Sequence, residues 1–195
     1  SYANRKGKGT NKAIGRFEYF KKKVTKNSTT SAFVLKADIR HYFDEVDQNI
    51  LLGFLQKRVK DPRLIWLLKK IIDNYQTQKG KGMPLGNLTS QFFANVYLNE
   101  LDQFIKQDLK IKYYLRYFDD FVILHPSKEE LEMIMSKINI FLKEKLVLEL
   151  HPTKSHIRLV HHGTEFLGLK IFLHHRVIKK KNKKRFYHQF RKLCN

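Results

Sequence analysis

Residues Lys112 to Leu124 read KYYLRYFDDFVIL. Two adjacent carboxylates, Asp119 and Asp120, lie between two runs of strand-forming residues. Tyr113, Tyr114, Leu115 and Tyr117 precede them, and Phe121, Val122, Ile123 and Leu124 follow. This pattern predicts strand, tight turn, strand, with the acids at or beside the turn. Like charges held this close repel, and a cation between them lowers the cost. A hard divalent ion suits them, because it prefers carboxylate and phosphate oxygen. Taken alone, the tetrapeptide fits a solvated Asp-Asp turn equally well.

A second acidic stretch bears on that choice. Phe33-Val34-Leu35-Lys36-Ala37-Asp38-Ile39 is an apolar strand pattern carrying a carboxylate at its end. Asp38 is far from Asp119 along the chain, but two strands paired side by side bring their ends together. Three carboxylates converging there make a two-metal site for phosphoryl transfer. The simpler role for Asp38 is a helix N-cap or a turn residue, yet Arg40-His41-Tyr42-Phe43-Asp44 is not an obvious helix start.

The surrounding pattern predicts an α+β chain, with helices packed on one face of an antiparallel sheet. One helix runs to about Lys26, capped by Thr10 or Asn11. A second runs from Gln48 to about Val59 behind Asp47. A third begins at Pro62 and holds Ile65, Leu68, Ile71 and Ile72. Ala94, Leu98, Leu101, Ile105 and Leu109 recur at helical spacing, so a single long helix is expected from about Leu88 to Lys110. Ser127 with Glu130 is a capping box for the next helix. Short strands are expected near 147–150, 156–160 and 165–172.

The 195 residues, 42% of them apolar, suffice for one sizeable core. No run approaches membrane-spanning length, and a membrane surface as the basic chain's partner is set aside because no strongly amphipathic basic helix stands alone in the sequence. Cys194 is the single cysteine, so no disulfide forms within the chain and a cytoplasmic setting is expected. The first residue is Ser1 rather than Met, as a fragment would have. The 39 Lys and Arg against 18 Asp and Glu give a net charge of +21, which points to a polyanion. The histidine pairs His161-His162 and His174-His175 do not suggest zinc, because neighbours on a strand point to opposite faces.

Five segments in order carry a resemblance. Lys36-Ala37-Asp38-Ile39-Arg40-His41-Tyr42-Phe43, Lys81 to Gln91, Tyr117-Phe118-Asp119-Asp120, Leu150-His151-Pro152-Thr153-Lys154-Ser155 and Glu165-Phe166-Leu167-Gly168 resemble the five palm motifs of bacterial retroelement reverse transcriptases, the group II intron and retron lineage. The resemblance implies a polymerase palm with partial fingers and the thumb largely absent. Residues 1–35 would be partial fingers, 36–178 the palm with finger-side helices over 47–75, and 179–195 the basic start of a thumb. Within this lineage Gly86-Asn87-Leu88-Thr89-Ser90-Gln91 is most like the diversity-generating retroelement type. Such enzymes copy adenines inaccurately and work with a small basic accessory protein.

The resemblance also implies roles. Asp38, Asp119 and Asp120 would hold two Mg2+ ions, with Mn2+ as a substitute and the Ile39 carbonyl as a further ligand. Lys154 would protonate the leaving pyrophosphate. Arg5 and Lys8, in a glycine-rich basic loop that is otherwise a flexible arm, would face template and nucleotide. Phe43 would lie under the nucleotide sugar and exclude a 2′-hydroxyl. Leu85, where the family usually has Gln, would border the nascent base pair together with Gly86 and Gln91. Phe166, Leu167 and Gly168 would form the primer grip. Expected partners are an RNA template, a DNA or RNA primer and deoxynucleotide triphosphates. The alternatives are a retron-like or phage-defence enzyme, and a palm that binds RNA but has lost catalysis. Against the last, Asp38, Asp119 and Asp120 are all present. A basic packaging protein would explain the charge but not the motif order.

Overall fold

The computed structural model describes residues 1–84 and 86–193. Its centre is a four-stranded antiparallel sheet in the order β2-β3-β1-β4. These strands are β1 Phe33–Asp38, β2 Tyr114–Tyr117, β3 Asp120–His125 and β4 His156–Leu159. Period-two alternation divides each strand between two faces. Leu35, Ala37, Phe121 and Ile123 join the larger core with Tyr97, Leu101, Ile138 and Leu142. These last four come from α5 (Leu88–Tyr97), α6 (Asn99–Gln103) and α7 (Lys128–Leu146).

Val34, Leu115, Val122 and Leu124 face the other way into a second cluster. There they meet Ile14, Phe17 and Phe20 of α1 (Thr10–Val24), and Phe166 and Ile171 of a small sheet. That sheet pairs β5 (Thr164–Phe166), β6 (Leu169–Ile171) and β7 (Arg176–Ile178). Phe17 is wholly buried, which is worth about 2–3 kcal/mol of apolar transfer. Helices therefore lie on both faces of the central sheet and not on one face as expected, because Val34, Leu115, Val122 and Leu124 give the second face its own apolar surface, which α1 covers. The end that carries Asp38 and Asp120 stays open, with side-chain exposures of 18% and 25%.

Several local expectations hold. Asp47 accepts from the Asn49 and Ile50 N–H groups at the start of α3 (Gln48–Arg58). Pro62 opens α4 (Pro62–Asp73) behind the cap of Asp61. Ser127 Oγ accepts from the Glu130 N–H at 3.0 Å, but the return arm of the capping box is replaced: the Ser127 N–H donates to His125 Nδ1 at 3.1 Å. The basic C-terminal run forms α8 (Lys180–Leu193).

Others need correction. Gly9, not Thr10 or Asn11, occupies the N-cap of α1, with no side-chain cap bond. A one-turn helix, α2 (Tyr42–Glu45), does start right after β1. It follows His41 in the left-handed region at φ 42°, a tight reversal that no periodicity announces. The 147–150 strand reduces to one bridge, Ile39 to Leu150. The 165–172 strand is a hairpin, because Leu167 and Gly168 both take positive φ, 48° and 84°, the sign pattern of a two-residue type I′ turn. β7 was not expected. The long helix breaks at Leu98, whose ψ is 2°, and a π turn follows at Phe104–Asp108. The extra residue lets Phe104 stack on Phe141 at 4.2 Å while Leu101 and Ile105 stay fully buried. Packing against α7 overrides the regular spacing.

Candidate active site

The hairpin of β2 and β3 presents the acids. Tyr117 pairs with Asp120, so the loop is only Phe118-Asp119. Phe118 has φ 53°, and positive φ at the first turn residue alone is the sign pattern of type II′. Glycine is the usual occupant there, so a phenylalanine is strained. In the neighbouring pairing Asp38 lies directly opposite Asp120, which puts both on one sheet face. Asp119 adjoins them at the turn.

Asp38 is wrapped by the segment that follows α7. The His151 N–H donates to the Asp38 carbonyl at 2.8 Å, and the Asp38 N–H donates to Ser155 Oγ at 3.3 Å. This wrapping sets Lys154 Nζ 3.8 Å from Asp38 Oδ2. Lys154 is 56% exposed, so its ammonium is free to turn. The Ile39–Leu150 bridge runs through the Arg40 N–H and the Asp38 carbonyl. It leaves the Ile39 carbonyl out of the pairing with Leu150.

Burial, opposed by a backbone hydrogen bond and reinforced by the charges of Asp38 and Asp120, raises the Asp119 carboxyl to about 6. Burial also raises Asp120, against the pull of Lys36. Lys36 Nζ stands 3.3 Å from Asp120 Oδ1. This oxygen is buried, and among the described residues the Lys36 ammonium is the one cation paired with it. Among the described residues no three His, Cys, Asp or Glu side chains stand close enough to form a ready-made metal cage. The donor set nevertheless suits a hard cation: the three side chains offer carboxylate oxygen, two of the acids are raised by burial, and a buried oxygen of Asp120 draws the Lys36 ammonium toward it.

The other expected residues surround this end. Phe43 is half-buried, edge-on to Tyr42, and its carbonyl accepts from the Met83 N–H at 2.7 Å. This places it beside the Gly82–Gln91 segment. Leu85 itself lies outside the described residues. Gly86 has φ 90°. Gln91, on α5, accepts from the Asn4 side chain. The N-terminal segment is not a free arm: the Tyr2 N–H donates to the Arg116 carbonyl at 2.9 Å, Ala3 is fully buried, and Lys8 lies over the Tyr2 ring. Arg5 is exposed on this docked loop.

In the 166–168 hairpin, Phe166 is a core ring packed on Phe17, so only Leu167 and Gly168 reach the surface. A Cβ at Gly168 would meet Asn182 Nδ2 at 2.8 Å, and Asn182 donates to the Gly168 carbonyl. The close approach that the glycine permits in the structure is to α8. A cleft of about 300 Å³ between β1, β4 and β5 is lined by Lys36, Lys154, Arg158 and Lys179, a basic wall beside the acids. Sequence reading missed Lys36, Ser155, Arg116 and Asp102. Lys36 alone left a signal, since its position two before Asp38 places it on the same strand face.

An antiparallel sheet whose hairpin turn brings acids against the end of a neighbouring strand, with helices behind, is the palm-type fold of a nucleic-acid polymerase. Residues 1–171 match the family described as reverse transcriptase (RNA-dependent DNA polymerase), and the chain belongs to that family. It is 28% identical to Protein YkfC of Escherichia coli (strain K12), over 80% of this chain and 49% of that protein. It is 25% identical to the group II intron-encoded protein LtrA of Lactococcus lactis subsp. cremoris, over 70% of this chain and 34% of that protein. The chain thus spans half or less of the length of these relatives. In fold it resembles telomerase from Candida tropicalis solved in complex with a TWJ fragment of telomeric RNA. The TM-score is 0.67 at 16% identity, over 90% of this chain and 34% of that one. No helix among the described residues is long and apolar enough to cross a membrane.

Proposed function

We propose that this chain is the catalytic palm of an RNA-directed DNA polymerase, extending a primer on an RNA template. The observation that carries this reading is the register pairing of Asp38 with Asp120 beside the Asp119 turn, in a chain of net charge +21. Asp38, Asp119 and Asp120 would hold Mg2+, or Mn2+, and the bound ions would supply charge neutralisation for an attacking 3′-hydroxyl and a leaving pyrophosphate. Lys154 would donate a proton to that pyrophosphate from its exposed position beside Asp38. Arg5, Lys8 and the basic cleft would neutralise phosphates of primer, template and triphosphate. The test is extension of a DNA or RNA primer on an RNA template by the full-length protein with Mg2+ and deoxynucleotides. No extension under any divalent ion would favour the reading as an RNA-binding palm.

Phe43 would act as the sugar gate. Phe43→Ala should raise ribonucleotide over deoxynucleotide incorporation by about tenfold or more, a discrimination typical of a single steric contact. Competition between the two nucleotides measures it. An unmoved ratio would make Phe43 a packing residue only.

The finer assignment is to the diversity-generating type, with a small basic accessory protein as partner. It rests on Gly86 to Gln91 and on an apolar residue at Leu85. Without a polar check at the nascent pair, selectivity relaxes by roughly 1–3 kcal/mol. Sequenced cDNA should therefore carry errors concentrated opposite template adenine, and Leu85→Gln should lower them. Evenly low errors would favour the retron-like or defence alternative and leave the polymerase reading intact.

A further inference from the structure

Arg116 is the largest fully buried side chain among the described residues. Strand alternation puts it on the face of β2 that also carries Tyr114, toward the helices. A guanidinium there is costly unless its donors are used and its charge is matched. Asp102 of α6 matches it in a two-pronged pair, Nε to Oδ1 at 2.8 Å and Nη2 to Oδ2 at 2.6 Å. Tyr114 adds its hydroxyl to Oδ1 at 2.6 Å. Burial raises the Asp102 carboxyl, but the hydrogen bonds and charge of Arg116 outweigh it and hold the group below its ordinary value. The pair is therefore ionised and anchored.

The donor left over is Nη1, which reaches the Phe118 carbonyl at 2.9 Å. Phe118 is the strained first residue of the turn that carries Asp119. The guanidinium thus spans from a helix in the core to the backbone of the acid-bearing turn. Its planar fork is what permits both tasks at once, since an ammonium has neither the spread nor the fixed geometry. On its own outer side the Arg116 carbonyl accepts from the Tyr2 N–H, so the docked N-terminal segment leans on the same residue.

We infer that Arg116, clamped by Asp102, is a positioning residue that holds the Phe118-Asp119 turn in its positive-φ form and so fixes where Asp119 stands. It touches no reacting atom. The inference rests on the polymerase reading for its kinetic arm and on the structure alone for its exchange arm.

The test uses Arg116→Lys, which keeps a buried cation for Asp102 but cannot also reach the turn. Tyr114→Phe serves as the comparison, because it weakens the same cluster and leaves the Arg116 to Phe118 bond in place. Amide hydrogen exchange at Asp119 and Asp120 should quicken about tenfold or more in Arg116→Lys and stay near the parent rate in Tyr114→Phe. In primer extension by the full-length protein, Arg116→Lys should lower kcat by roughly 10- to 100-fold, the scale of a small misplacement. The KM for deoxynucleotide should stay within about threefold. Because glycine takes positive φ without strain, the same Arg116→Lys change made in the Phe118→Gly background should cost at least threefold less in kcat. Equal exchange in the two single variants, or an undiminished penalty in the glycine background, would reduce Arg116 to a fold-stabilising residue. If the parent protein extends no primer, the polymerase reading falls and takes the kinetic arm with it, while quickened exchange confined to the turn still upholds the clamp.

Discussion

Asp119→Asn should end primer extension and, in the absence of divalent ions, make the protein more stable at pH 7.5. Asp119 is partly withdrawn from water and feels the charges of Asp38 and Asp120, which lifts its carboxyl to about 6 from an ordinary value of 3.8. The folded form therefore holds the proton more tightly than the unfolded form does. The stability that Asp119 contributes is fully present below pH 3.8, and it is lost as pH rises through about 6. At neutral pH the carboxylate is a liability, worth roughly 3 kcal/mol at most from a shift of this size. Asn copies the shape of the neutral acid and removes that liability. At about 2–4 °C per kcal/mol for a chain of this length, the melting temperature at pH 7.5 should rise by roughly 5 °C. The gap should close as pH falls toward 4.

Divalent ions should reverse the order. Mg2+ or Mn2+ should raise the melting temperature of the parent protein more than that of Asp119→Asn, because a ligand that binds only the folded form stabilises it. Extension should fall by roughly a thousandfold or more, the consequence of losing several kcal/mol of charge stabilisation. Melting curves across pH, with and without the ion, separate the two effects. Identical curves for both proteins would mean that Asp119 is neither strained by its neighbours nor held in readiness for a cation.

Lys154→Met should lower kcat by roughly a hundredfold, the lower range for loss of a proton donor. Affinity for primer and template should change little, because one exposed ammonium among 39 basic residues adds little to total binding. The His151 and Ser155 bonds to the Asp38 backbone do not involve the lysine side chain, so the loop should keep its shape and melting should be nearly unchanged. Methionine preserves most of the length and removes only the proton and charge. Single-turnover extension distinguishes the outcomes. A fall in affinity with kcat intact would recast Lys154 as a phosphate contact in the adjoining basic cleft.

The acid-bearing hairpin was legible because two independent local signals coincide there. Strand-forming runs flank a two-residue turn, and adjacent carboxylates occupy the position where a strand pattern breaks. The caps at Asp47 and Ser127 were legible for a similar reason, since their bonds close within three residues. The 88–110 stretch misled because its apolar spacing is truly helical. The π turn answers to Phe141, more than thirty residues further along, and no window on the sequence contains that contact. Gly168 announced only part of its setting. A glycine marks positive φ or a close approach, but its neighbour here, Asn182, comes from a helix that the chain brings back later.

Sequence by itself determined the class of fold, the strands that carry the acids and the charge that seeks a polyanion, because each of these depends on residue type and near-neighbour spacing. Tertiary structure alone decided the rest of the site: the facing of Asp38 with Asp120, the wrapping of Asp38 by His151 and Ser155, the loan of Lys36 to Asp120 and the anchoring of the turn through Arg116 to Asp102. These are contacts between segments distant in sequence, or between a buried charge and whichever partner packing delivers. Their energies depend on distance and burial, which arise only when the sheet has formed and the helices have closed over it.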